Sequence, residues 1–252
     1  MKIIGLEVFE EAYKEFEANG WAIHSKHHFK PADRPEDFDL QMKAQVLAED
    51  IGFTCMVFKD LYLECVEKIQ EATKVMLAKN KVVSSESAKE YHEGIAIPVS
   101  KVAVIAKYFF ILIRAYQDAI YKMMMRIFKQ GINDGTSVAQ AIDQASCEFI
   151  LKNPVAKLLD EKMSTYAKWF LDFRKWRNLV KTGQGATHSS GQDFEKNEIR
   201  VSIELSQRAK EGKYEITLLE LAKALKISAS LTTVAIELGL NKSVFTKQNF
   251  FE

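Results

Sequence analysis

Val102-Ala-Val-Ile-Ala-Lys-Tyr-Phe-Phe-Ile-Leu-Ile113 decides the fold. Its apolar residues point in nearly every direction around a 3.6-residue period, so as a helix it is covered on almost all sides. Ile97-Pro98-Val99-Ser100 initiates this helix, and Gly131 stops it just after Gln130. A helix buried all round needs other helices packed against it. The flanking sequence supplies them.

Upstream, a short helix is expected around Glu7–Ala18, closed by Asn19-Gly20, followed by a polar connector through Pro31 and Pro35. From about residue 37 to 80 apolar residues recur at helical spacing, with a bend expected at Asp50-Ile51-Gly52. Ser84–Ser87 then starts a short helix to about His92. Downstream, the hydroxyls of Thr136 and Ser137 suit the cap of a helix reaching about Lys152. Asn153-Pro154 opens another helix to about residue 182, and a last one runs from about Thr217 to Gly239. Only Glu198–Leu205 alternates polar and apolar residues as a strand does. The fold class is therefore all-α, a helical bundle with one short strand or β-hairpin near 198–205. Residues 1–97 are expected as a helical extension packed on a core of residues 98–252, the whole forming one compact domain.

Composition narrows the functions. Lys and Arg number 35 against 34 Asp and Glu, so no global field draws the chain to nucleic acid or membrane, and any anion site must be a local patch. Lys107 interrupts the longest apolar run, which is too short to span a bilayer, and no secretory signal opens the chain. Cys55, Cys65 and Cys147 lack CxxC spacing and have apolar neighbours, so they read as reduced, buried thiols of a cytoplasmic protein. There is no Walker loop, dinucleotide fingerprint, HExxH or GxSxG, which sets those enzyme classes aside and leaves no cofactor implied.

The local patch is Trp169-Phe-Leu-Asp-Phe-Arg-Lys-Trp-Arg-Asn-Leu-Val-Lys-Thr-Gly183. Residues three and four apart share a helix face, which aligns Arg174, Arg177, Asn178 and Lys181. The stripe runs into a small-residue loop holding Thr187, His188, Ser189 and Ser190. Guanidinium, amide, ammonium and imidazole groups gathered at one helix end suit a phosphate backbone. The competing reading is plain helix termination, since cations offset the negative end of the helix dipole and glycine is the usual stop. Two arginines one turn apart nevertheless repel unless a carboxylate or ligand lies between them. Arg114 and Asp118, four apart on the central helix with Gln117 beside them, form either an intrahelical ion pair or a support for Arg177.

His24, His27 and His28 raise a metal reading, but no cysteine lies nearby and zinc spacing is missing, so no metal site is expected. His92 reads as a surface residue. Met123–Met125 and the rings of Tyr166, Trp169, Phe170, Phe173 and Trp176 read either as core or as a partner-binding groove or homodimer seam.

Tyr108-Phe-Phe-Ile-Leu-Ile-Arg-Ala-Tyr-Gln-Asp-Ala-Ile-Tyr121, followed by a helix ending Phe173-Arg-Lys-Trp-Arg-Asn-Leu-Val-Lys181, resembles HEPN domains, over about residues 98–240. These are helical-bundle proteins of RNA-cleaving toxins and phage-defence systems. Their signature is an arginine, often followed by a polar residue, with a histidine four to six residues further on. Arg177-Asn178 matches its first two positions; Thr182, Gly183 and Gln184 stand where the histidine is expected, and the nearest imidazole is His188. The resemblance implies a metal-independent endoribonuclease acting on single-stranded RNA, with Arg177, Asn178 and His188 catalytic. It implies RNA contacts at Arg174 and Lys181 and support from Arg114, Gln117 and Asp118. The alternative is a catalytically inactive module that binds RNA or a protein. The family's habit of pairing implies a homodimer or a cognate partner protein.

Overall fold

The computed structural model describes residues 2–24, 35–78, 85–128, 137–181, 186–193, 198–206 and 213–248. Among them the chain is mostly helical, as the periodicity predicts. Six helices are α1 (Leu6–His24), α2 (Pro35–Ala78), α3 (Ser85–Ile127), α4 (Pro154–Lys162), α5 (Tyr166–Lys181) and α6 (Leu218–Gln248). The strands are β1 (Lys2–Ile3), β2 (Ile142–Asp143), β3 (Glu148–Phe149), β4 (Ala186–Asp193), β5 (Glu198–Ser206) and β6 (Lys213–Ile216).

The central helix is longer than its apolar run. α3 continues through Pro98 and absorbs the separate short helix expected near residue 92. An interior proline costs a helix about 3 kcal/mol. Val99, Val102, Ala103 and Ala106 follow it and are all buried, and each buried valine contributes about 1.5–3 kcal/mol. Packing therefore outweighs the break. α2 runs antiparallel to α3, with Glu64 near Lys101 (3.6 Å) at one end. It passes Gly52 unbroken because Ile51 and Cys55 lock that turn into the core. α1 likewise passes Asn19-Gly20, where a closure was expected. A Cβ at position 20 would lie 3.3 Å from that of Ala48, so this glycine lets α1 and α2 approach, and Asn19 donates to the Ala229 carbonyl on α6 (3.5 Å).

Over the described residues 137–152 the expected helix is absent. A 3₁₀ turn at Val138–Ala141 leads into the β2–β3 hairpin. Asp143 accepts from the backbone N–H of Ala145 (2.9 Å), a local bond that competes with helix. Cys147, at φ 59°, completes the turn and is only half-buried, unlike the fully buried Cys55 and Cys65. Asn153 caps α4 as its sequence predicts, accepting from Val155 N–H (2.9 Å) and Ala156 N–H (3.2 Å). The expected single helix then divides at Met163. The redirected α5 lays Phe173 against Phe110 of α3, their ring centroids 4.6 Å apart. Tyr166, Phe170, Phe173 and Trp176 are buried, and Trp169 is partly so. Four of those rings are core, the first of the two readings that the sequence left open.

β5, anticipated as one short strand or part of a β-hairpin, is the centre of a four-stranded sheet. β4 pairs along one edge, antiparallel, from Ala186↔Leu205 to Asp193↔Glu198. On the other edge β1 pairs in parallel at Glu198–Ile199 and β6 antiparallel at Ile203–Ser206. Val201 falls between β1 and β6. There the buried Tyr62 hydroxyl of α2 accepts from Val201 N–H (2.9 Å) and donates to its carbonyl (3.3 Å), filling the gap in the ladder. Ile199 and Val201 carry the sheet into the same core as the helices, and that core includes side chains from both 1–97 and 98–252.

The Gly94–Ile127 part of α3 has the length and mean hydropathy (1.9) of a membrane span, beyond what the run ending at Ile113 indicated. In the fold it packs against α2, α5 and α6, but Val104, Tyr108 and Ile111 remain exposed along one face, where the sequence indicated cover on almost all sides. Arg114 and Gln117 are buried on it among protein partners.

Candidate functional site

α5 buries Phe170, Phe173, Trp176 and Leu179 and turns its polar flank toward α2 and α3. There a cleft of about 370 Å³ opens between the three helices. Arg177 and Lys181 enter it from α5, Lys122 and Asp118 from α3, and Lys43 from α2, while Leu40 and Ile111 line its apolar side. Among the described residues lining it, four cations stand beside one carboxylate, a balance of charge that suits an anion.

Arg177 is held in place from its own helix, donating from Nη1 to Asn178 Oδ1 (2.9 Å). Burial pushes its pKa down, repulsion from Arg114 and Arg174 adds to this, and Asp118 opposes it. A guanidinium remains protonated at neutral pH under such pressure. An anion entering the cleft would relieve the strain of that half-buried charge.

Behind the cleft wall, Arg114 is 3% exposed. Its Nη1 lies 2.5 Å from Asp118 Oδ1, and its guanidinium sits 4.3 Å from the centroid of the Phe170 ring. Arg114 Nε is buried without a hydrogen-bond partner. Asp118 also accepts from Val138 N–H (3.2 Å), which ties the 3₁₀ turn to α3. Asp118 thus has Arg114 as its direct partner and acts on Arg177 through its field.

The remaining site residues expected from sequence are spread around this centre. Gln117 is fully buried and donates to Ser228 Oγ on α6 (3.1 Å), away from the cleft. Arg174 adds positive potential to Arg177 without lining the cleft. His188 lies in β4, its backbone opposite Ile203, where the sequence indicated a loop. Thr187, Ser189 and Ser190 belong to the same strand. Its composition lacks alternation, and β4 forms through the backbone ladder that β5 offers.

Two cleft residues escaped the sequence reading. Lys122 had a signal, being four residues beyond Asp118 on one helix face. Lys43 had none, because only the α2–α3 packing brings it to α5. Among the described residues, no three His, Cys, Asp or Glu side chains gather as metal ligands. His27 and His28 lie outside the described residues, and His24 ends α1. No protein-family model, curated protein or solved structure matches this chain, so the reading of the cleft rests on its own geometry.

Proposed function

We propose that this is a HEPN-like cytoplasmic protein whose α2–α3–α5 cleft binds the phosphodiester backbone of single-stranded RNA. The observation that carries the proposal is the convergence of Lys43, Lys122, Arg177 and Lys181 from three helices around a half-buried guanidinium. Charge-assisted bonds to phosphate oxygens are the strong use of such groups. The free cysteines fit a reducing compartment. Exposed Ile97, Val104, Tyr108 and Ile111 recur along one face of α3 and lead to the cleft, which supports pairing with a second copy or a cognate protein there.

The catalytic form of this proposal is metal-independent RNA cleavage in a toxin or phage-defence setting. His188 would take the proton of the 2′-hydroxyl, whose oxygen attacks the adjacent phosphorus. The bond to the 5′ oxygen breaks and that oxygen is protonated, while Arg177 and Lys181 hold the phosphorane charge. What favours keeping this form is the backbone of His188, which sits in a paired strand and so gives an imidazole a defined origin.

Binding of fluorescent single-stranded RNA, with cleavage followed in chelator, tests both forms. Four phosphate contacts predict a slope of about −3 in log K against log salt. Arg177→Ala should weaken binding at least about tenfold. Loss of cleavage in His188→Ala with binding retained supports catalysis; binding without cleavage in the wild type leaves the inactive module. RNA affinity unchanged by both Arg177→Ala and Lys181→Ala refutes the RNA proposal altogether.

A further inference from the structure

We infer that the groove between α1 and α2, on the opposite side of α2's register from the cationic cleft, is a binding site for a small amphipathic organic cation. The groove encloses about 230 Å³, below the roughly 300 Å³ at which sites for drug-sized ligands begin. Its apolar part is made by Phe16, Ala48, Phe53 and Met56, and its polar part by Glu17 and Glu49 with Tyr13 and Gln45. Among the described residues, none of those lining it is cationic.

Three features there fit a ligand. The first is Gly52. A glycine inside a helix costs about 1 kcal/mol relative to alanine. Gly20 offsets that cost through the close approach to Ala48, but a Cβ at Gly52 would meet only Tyr13 Cε2, at 3.9 Å. Gly52 is therefore not needed for packing, and its effect is to leave the groove open. The second is the lip. Phe53 is 66% exposed and Met56 50%, two large apolar side chains beside an apolar cavity. The third is charge. Among the described residues, Glu17 accepts from the Tyr13 hydroxyl (3.3 Å) and Glu49 from Gln45 Nε2 (2.9 Å), so both exposed carboxylates have neutral hydrogen-bond partners there.

An ammonium group on a short apolar body satisfies all three. The body fills the space over Gly52 and covers Phe53 and Met56, and the charge rests between Glu17 and Glu49. Tyr13 and Phe53 line the groove as well, and an aromatic face attracts a cation. A neutral ligand would leave the carboxylates unused, and an anion would be repelled.

The test is calorimetric titration of the full chain with 2-phenylethylammonium and with its neutral counterpart 2-phenylethanol. The amine should bind, and the alcohol should bind about tenfold more weakly or not at all. The double variant Glu17→Gln/Glu49→Gln should lose about tenfold in amine affinity, as expected for two rim charges. Gly52→Leu fills the groove with a good helix former and should abolish binding while leaving the circular dichroism spectrum and RNA affinity as in the wild type. The inference is overturned if the amine does not bind, if the alcohol binds equally well, or if Gly52→Leu retains binding. It is also overturned if only a basic helical peptide binds, since the groove is then a protein-docking surface.

Discussion

Asp118→Asn should move stability and anion affinity in opposite directions. The carboxylate is the counter-ion of Arg114, whose side chain is 4% exposed against 26% for Asp118. Breaking a buried ion pair by removing one partner costs about 3–5 kcal/mol, because the other charge is left uncompensated. Two features reduce that here. Asparagine keeps an oxygen for the Val138 N–H, and the Phe170 face, 4.3 Å from the guanidinium, still attracts the cation. The expected loss is about 2 kcal/mol. For a chain of this size that lowers Tm by about 4–8 °C. The same substitution removes the one carboxylate among the described residues lining the cleft and so raises the net positive charge around Arg177 and Lys181. RNA affinity at low salt should rise a few-fold, and the gain should vanish as salt screens it. Thermal melts paired with fluorescence anisotropy read both quantities on one sample. Unchanged stability would show that Arg114 does not depend on this carboxylate. Weakened binding in a folded variant would refute the account of the cleft as an anion site set by net local charge.

Lys43→Ala and Lys122→Ala, measured by the same anisotropy assay, should each lower RNA affinity a few-fold and flatten the salt slope by about 0.7; a slope unchanged in both confines the site to α5. Tyr62→Phe should cost about 2–4 kcal/mol in urea unfolding, because it strands the buried N–H and carbonyl of Val201 between β1 and β6. Alkaline stability follows from burial, which pushes the Tyr62 phenol and the Cys65 thiol each up to about 12. Both stay protonated in the fold after the unfolded chain has ionised, so stability is full below about pH 9 and declines as pH rises toward 12; a urea midpoint flat across that window contradicts it. Alkylation at pH 8 should label half-buried Cys147 first, with Cys55 and Cys65 reacting only on unfolding, as mass spectrometry of peptides would show.

Sequence alone determined the features set by local chemistry. The long apolar run of α3 required helices packed against it, Asn153-Pro154 required a helix start, and the alternation of Glu198–Leu205 required a strand. It also brought Arg177 and Lys181 onto one stripe, since a helix face depends only on spacing. Tertiary structure decided what depends on distant partners. Pro98 read as a helix start, Gly20 as a stop and Gly52 as a bend, yet α1, α2 and α3 run through them because burial along each helix outweighs a local cost of a few kcal/mol. β4 exists because β5 offers an unpaired edge, not because of its own side chains. Lys43 joins the cleft only because α2 folds back on α3, bringing together residues far apart along the chain. Spacing in a sequence reports the faces of single elements, whereas a site built between three helices is set by how those faces pack.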